Sequence, residues 1–593
     1  MPWTGSADVP EHGAPLPSVD DALIQPVAPV GSFEPIAPPP EADGVLRSRG
    51  VRSVAGGAAL IAAVTVFSRM VGFLRTLTFS HTVGTQALAD AYNTANQIPN
   101  TIFDIVAGGA LASVAVPLLA GPLSRGERRE AEAITSALLT WAVAVLLPLS
   151  LLGMAVSGPL GDLLGGDHAP LGVYGATVGR FLVLFLPQIP LYGVAVVLSA
   201  TLQADRRFLA PALAPLLSSL VVVTTYLAFG ELDPGAAGGN LAGLGHGSEL
   251  FLGLGTTLGV ATLALSLLPA MRRSGLRIRP RLRFPPGVAH RARGLAAAGI
   301  ATLAAQNVAT IGIVLLTSHT HASDGSLTVY TFSWAVYVLP YAVLAVPIAT
   351  TAFTDLSARS DQGDMDGYRI GVASTSRAVV VAACLGSALL AATAWPMSYL
   401  FISAPSGPRP SMMAYGLLAF ALGVPGYAAI AHLSRVLYAG GQGRAAATAT
   451  VIGWLAVLSA DCLLVWALPP AQAVAAFGLG NAVGMTLAGV LLLTAVRRHA
   501  GPGAFTGLPR AAAVGAIAAA AAGAAGWLTA GGIGPTSATF AIPVAVLCAT
   551  IAAVVFAVIL LALDDGDLWP LLLRSLRGVR LRRLALRIYR WRR

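Results

Sequence analysis

No lysine occurs in this chain, so its 37 basic residues are all arginine. Charge of either sign is scarce: 11% of residues carry one, against roughly 25% in soluble domains. That scarcity excludes an ordinary soluble globule. Cysteine is nearly missing too. Cys384, Cys462 and Cys548 lie far apart in apolar segments, which leaves neither a disulfide framework nor a zinc site and makes them small core residues. The chain has no Gly-rich phosphate loop with its lysine, no HExxH and no carboxylate cluster in its outer loops, so no enzymatic constellation is visible. His319 and His321 in SHTHASDG are loosely spaced for a metal but lack a third ligand, and neither metal nor cofactor is expected.

Apolar residues fill the space: 55% of 593 are hydrophobic and the mean hydropathy is +0.73. Runs of about 20 apolar residues, each able to cross a hydrocarbon core of about 30 Å, recur along the chain. Alternating strand patterns do not, so the expected fold is an all-α integral membrane protein. The spacing predicts fourteen transmembrane helices: 54–80, 87–118, 133–157, 171–200, 209–230, 247–270, 290–317, 327–354, 374–400, 412–438, 445–467, 473–496, 511–530 and 539–563. Residues 1–50, rich in Pro and Ala without hydrophobic period, read as a disordered tail. The first apolar segment begins after residue 50 at full length, so no cleavable signal peptide is expected.

Arginine distribution orients the bundle. With the N-terminus inside, 32 of the 37 arginines fall in the tails and connections on that side, and the outer loops hold only Arg409. Cytoplasmic loops carry such an excess, so both termini are expected in the cytoplasm. Four arginines remain within spans: Arg69, Arg75, Arg180 and Arg435.

A weak repeat at a spacing of 235 to 241 residues pairs LSATLQA (198–204) with LSRVLYA (433–439), and AYNTANQIP, reaching Pro99, with VYTFSWAVYVLP, reaching Pro340. An even number of spans per repeat gives both halves the same orientation, related by a pseudo-two-fold along the membrane normal. The expected organisation is a six-helix bundle at 51–275, a second at 287–500, and two extra helices within 508–564, around a central cavity. The remaining 565–593 interleave arginine with leucine and aromatics, as an amphipathic helix on anionic membrane lipid does. Nucleic acid is not the expected use of that charge.

Charged side chains inside spans mark function, because each costs about 2.5 to 3.5 kcal/mol at mid-bilayer. On a helical wheel Thr65, Ser68, Arg69, Gly72, Arg75 and Thr76 share one face. Two guanidinium forks on that face suit an anionic group such as phosphate; the alternatives are snorkelling to a headgroup or an ion pair with Asp90. Asp90, Asn93, Asn96, Gln97 and Asn100 approach Pro99, to line a cavity or to bond between helices. Asp104, within the span, must protonate or find an arginine. Arg180 and Arg435 lie near span ends and are candidates for snorkelling. Asp104, Arg435 and Asp461 are the candidate gate or ion-linked residues, Asp461 having an interfacial alternative.

SRMVGFLR (68–75), ADAYNTANQIPN (89–100), GGALASVAVP (108–117) and SRVLYAGGQGR (434–444) together resemble the MurJ/MviN lipid II flippases of the MOP exporter superfamily. The resemblance runs in order from about residue 54 to 563. It implies two six-helix bundles around a V-shaped cavity, with two further helices forming a lipid groove. It also implies alternating-access transport of an undecaprenyl-pyrophosphate-linked cell-wall precursor from the inner to the outer leaflet. Arg69 and Arg75 match the family's cavity arginines of the first helix, and Asp90 a functional aspartate of the second; Ser68, Asn93, Asn96 and Asn100 complete the substrate-binding candidates.

Three departures stand out. Thr76 replaces an acidic residue, Phe103 and Asp104 stand where some members have arginines, and Trp334 and Ala335 replace an Asp-Arg pair. They admit a flippase for another polyprenyl-linked glycan, or a non-transporting membrane scaffold that engages cell-wall synthesis proteins.

Overall fold

A computed structural model describes residues 64, 67–105, 113–166, 172–235, 241, 244–285, 288–320, 322–402, 408–534 and 537–563. The predicted tails at 1–50 and 565–593 lie outside these residues. The described chain is helical: α1 (67–82), α2 (Ala87–Ile102), α3 (Ser113–Ser124), α4 (Arg128–Ala155), α5 (Ser157–Gly165), α6 (Val173–Ala204), α7 (Leu209–Leu232), α8 (His246–Ser274) and α9 (Val288–His319). Then come α10 (Ser326–Asp361), α11 (Met365–Ala392), α12 (Ala394–Phe401), α13 (Pro410–Ala439), α14 (Gly443–Ala467), α15 (Pro470–Ala500), α16 (Pro502–Ile533) and α17 (Ala538–Leu563).

Among the described residues, twelve helices are long and apolar enough to span a membrane. The first two predicted spans are the exceptions. Span 54–80 begins outside the described residues, and 87–118 is described only in part. It consists of α2, a π turn at 103–105 and α3, with 106–112 outside the described residues. Proline explains the irregularities. It withholds an N–H and crowds the preceding turn, so Pro99 precedes the π turn of α2, and Pro340 precedes a π turn, Tyr341–Ala345, in α10. The two members of the predicted repeat thus share one irregularity.

Short connections such as 83–86, 205–208, 362–364 and 440–442 make successive helices antiparallel. The arginine-bearing connections therefore gather at one end of the bundle. At that end the buried cores are separate among the described residues. Leu119, Ile134 and Val197, and likewise Leu202 and Leu267, belong to the N-terminal half, and Leu356, Val436 and Val496 to the C-terminal half. Toward the opposite end, Phe79, Leu88 and Tyr226 merge with Phe332, Phe401 and Phe420 into one core that joins the halves. Helices α11, α16 and α17 pack through Ala388, Ala522 and Phe556 into a separate small-residue cluster.

Candidate functional site

The polar face of α1 turns its centre to open space: a Cβ added at Gly72 would meet nothing within 4 Å. Arg69 and Arg75 flank that glycine at three residues on either side, which a helix places on one face. Neither guanidinium has a hydrogen bond or ion pair among the described residues, nor does the half-buried Ser68. Farther along α1, Phe79 packs against Tyr92 and Tyr226 at centroid distances of 5.0 and 5.2 Å, which seats the helix beside a group of tyrosines. The Arg75 charge acts on the hydroxyls of Tyr92, Tyr192 and Tyr226.

Tyr192 had no sequence signal, and the structure makes it the hinge of this group. Its hydroxyl donates to Asn100 Oδ1 at 3.3 Å, and its ring lies 4.3 Å from that of Phe103. Beside Phe103, Asp104 meets no arginine. The side chain that acts on its carboxylate is Asn307 of α9, in the other half of the chain. Arg75, Asn100, Asp104 and Tyr192 thus converge from three helices. Asn96 lies one turn before Asn100, with its Oδ1 buried and unbonded.

Asp90 and Asn93 stand elsewhere. Asp90, 3% exposed, pairs with neither Arg69 nor Arg75. It caps the N-terminus of α10 from the opposite half: Oδ2 accepts from the Gly325 N–H at 2.7 Å, and Oδ1 from the Thr328 N–H at 2.8 Å and hydroxyl at 2.6 Å. Asn93 Nδ2 donates to Thr328 Oγ1 at 3.0 Å. A carboxylate here satisfies orphan helix N–H groups and faces the positive end of the helix dipole. Gly325 is required in this clasp: its φ is +82°, and a Cβ would collide with the Thr85 carbonyl oxygen and with Pro408. Phe73 on Phe401 at 5.6 Å and Phe79 on Phe332 at 6.2 Å add apolar contacts between the halves.

The remaining intramembrane charges are also placed. Arg180 does not depend on snorkelling, because Nε bonds both oxygens of the buried Glu249, at 2.8 and 2.9 Å, and Nη2 donates to Thr177. Arg435 is half-buried, and its Nη1 donates to the Ala431 carbonyl at 2.8 Å. Asp461 is fully buried within the protein. It packs against Gly480, and both of its carboxylate oxygens lack a hydrogen-bond partner. Trp334 joins an aromatic group, 5.3 Å from Tyr337 and 6.3 Å from both Tyr330 and Trp454.

A helical membrane bundle whose two halves clasp at one end has the architecture of a transporter. The chain belongs to the lipid II flippase MurJ family, whose model matches residues 79–546. That range begins after Arg69 and Arg75, so their roles rest on the SRMVGFLR resemblance and the geometry above. The chain is 26% identical over 385 residues to a protein of Rhizobium meliloti (strain 1021) named probable lipid II flippase MurJ, an alignment covering 63% of this chain and 68% of that one. Its fold is similar to a lipid II flippase MurJ structure in the inward closed conformation, with TM-score 0.66, 16% identity, and 84% of this chain and 98% of that chain covered. It is also similar to an inward-facing multidrug resistance MATE family transporter of the MOP superfamily, with TM-score 0.60, 13% identity, and coverage of 74% and 98%.

Proposed function

We propose that this protein moves a lipid-linked peptidoglycan precursor, lipid II, from the inner to the outer leaflet of the bacterial cytoplasmic membrane by alternating access, with both termini in the cytoplasm. The observation that carries the reading is the open face of α1, where Arg69 and Arg75 flank Gly72 with neither guanidinium paired. Guanidinium forks bind phosphate oxygens in a bidentate way, and an unpaired fork need break no protein ion pair to do so. A pyrophosphate cannot cross hydrocarbon unaided; the two arginines would carry it while the polyprenyl tail stays in the bilayer. In this scheme Asn96, Asn100 and Ser68 extend the headgroup site, and Asp90 with Asn93 holds the outer end shut while the headgroup loads from the arginine-rich end. Asp104 and Arg435 act at the gate, and the unpartnered Asp461 carboxylate is the group to which an ion gradient would couple.

A second cargo, another polyprenyl-linked glycan, is favoured by Trp334, which stacks with aromatics where related sequences carry a charged pair. Complementation separates these readings. In cells depleted of their own lipid II flippase, the wild type is expected to restore growth and outer-leaflet exposure of lipid II, and Arg69→Glu to restore neither at equal membrane abundance. Growth sustained by Arg69→Glu would overturn the arginine site. A wild type that exposes no lipid II would overturn the cargo.

A further inference from the structure

The connection after α8 is built against the membrane bundle. Gly275, at φ +74°, ends the helix with a left-handed turn, and residues 276–285 then run without helix or strand along α4. Three backbone N–H groups, each two residues from the next, are taken by side chains one helical turn apart. Arg277 N–H donates to Glu132 Oε1 at 2.9 Å, Arg279 N–H to Ser136 Oγ at 3.1 Å, and Arg281 N–H to Thr140 Oγ1 at 2.9 Å. The register fits because two residues of extended chain rise about 6.6 Å and four residues of helix about 6 Å. Trp141 closes the ladder, its Nε1 donating to the Leu282 carbonyl at 2.9 Å.

This strap sorts its side chains. Leu276 is buried and Ile278 and Phe284 pack onto the neighbouring cores, while Arg277, Arg279, Arg281 and Arg283 all stand exposed. None of the four has an ion pair among the described residues, and Arg281 Nε is steadied by the Arg283 carbonyl at 2.9 Å. The strap's depth follows from α4. Beyond Trp141, which is 46% exposed, the same helix face shows Val145, Leu149 and Leu152, whereas before it come Arg128, Arg129 and Glu130. Tryptophan at such a polar-to-apolar boundary marks the headgroup level of a bilayer.

We infer that the 276–285 strap is a binding site for anionic phospholipid headgroups in the leaflet at the arginine-rich end, where a row of unpaired guanidinium groups meets lipid phosphate. The four side chains form one face because the ladder to α4 fixes every second residue, which a free loop of the same composition would not do.

The test is native mass spectrometry of the full chain in detergent with phosphatidylglycerol or phosphatidylcholine. The probes are the wild type, R277Q/R279Q/R281Q/R283Q, which changes only exposed side chains, and S136A/T140A, which removes two rungs and leaves every arginine. The wild type is expected to retain phosphatidylglycerol over phosphatidylcholine, and the quadruple variant to lose that retention roughly tenfold or more. S136A/T140A, checked for a single size-exclusion peak, is expected to lose part of it. Millimolar inorganic phosphate should leave retention unchanged. Equal retention by the quadruple variant would overturn the site, and unchanged retention in S136A/T140A would overturn the role of the ladder. Displacement by inorganic phosphate would show that the row reads the ion and not the lipid.

Discussion

Single side chains divide the functional candidates of this protein into two groups that one polar stretch had run together. Asn100 bonds Tyr192, on which the Arg75 charge acts, whereas Asp90 and Asn93 lie in the clasp. Removing the Tyr192 hydroxyl tests the first group, since Tyr192→Phe keeps the ring on Phe103 but leaves Asn100 Oδ1 unbonded. A neutral hydrogen bond contributes about 1 kcal/mol and one to a charged group about 1.5–3 kcal/mol. Flipping rate in proteoliposomes should therefore fall several-fold in Tyr192→Phe and about tenfold or more in Arg75→Gln; an unchanged rate in Arg75→Gln would remove it from the substrate path. Asp104 shows what sequence spacing left open. The side chain acting on its carboxylate, Asn307, lies more than two hundred positions away, and no rule of local periodicity points there.

At the scale of helices, prolines and intramembrane charges were legible and their partners were not. Pro99 and Pro340 stand out in the sequence, and each is followed by a π turn, but the turns themselves depend on how neighbouring helices satisfy the freed carbonyls. Arg180 is the clearer case, because its position near a span end suits snorkelling, yet its partner Glu249 comes from α8. That pair ties α6 to α8 with the carboxylate buried and the guanidinium partly exposed, so removing the arginine strands a buried charge. Arg180→Gln is expected to lower stability by roughly 1–3 kcal/mol, and Arg180→Gln/Glu249→Gln by less than Arg180→Gln alone. Thermal unfolding in detergent decides this, and additive losses would mean that the pair is not coupled.

The whole molecule adds the relation between the halves. The Asp90 clasp and the merged aromatic core hold them together at one end, and alternating access requires that this end part. Asn93→Cys with Thr328→Cys, in a Cys462→Ser background, places two thiols where a 3.0 Å hydrogen bond now crosses the seam. Oxidation should crosslink the halves and stop transport, and a reductant should restore it; undiminished flipping by the crosslinked protein would refute a moving clasp. The sequence by itself determined the helical membrane class, most of the spans, the arginine-rich end and the polar face of α1. These follow from hydropathy, charge counting and a 3.6-residue period, all local properties of the chain. Only the tertiary structure decided that Asp90 caps α10, that Asn307 acts on the Asp104 carboxylate, that Tyr192 joins the site and that the arginines of 277–283 form a row. Each is a contact between segments distant in the chain, and a periodic apolar pattern says which face of a helix is polar without saying what it will meet.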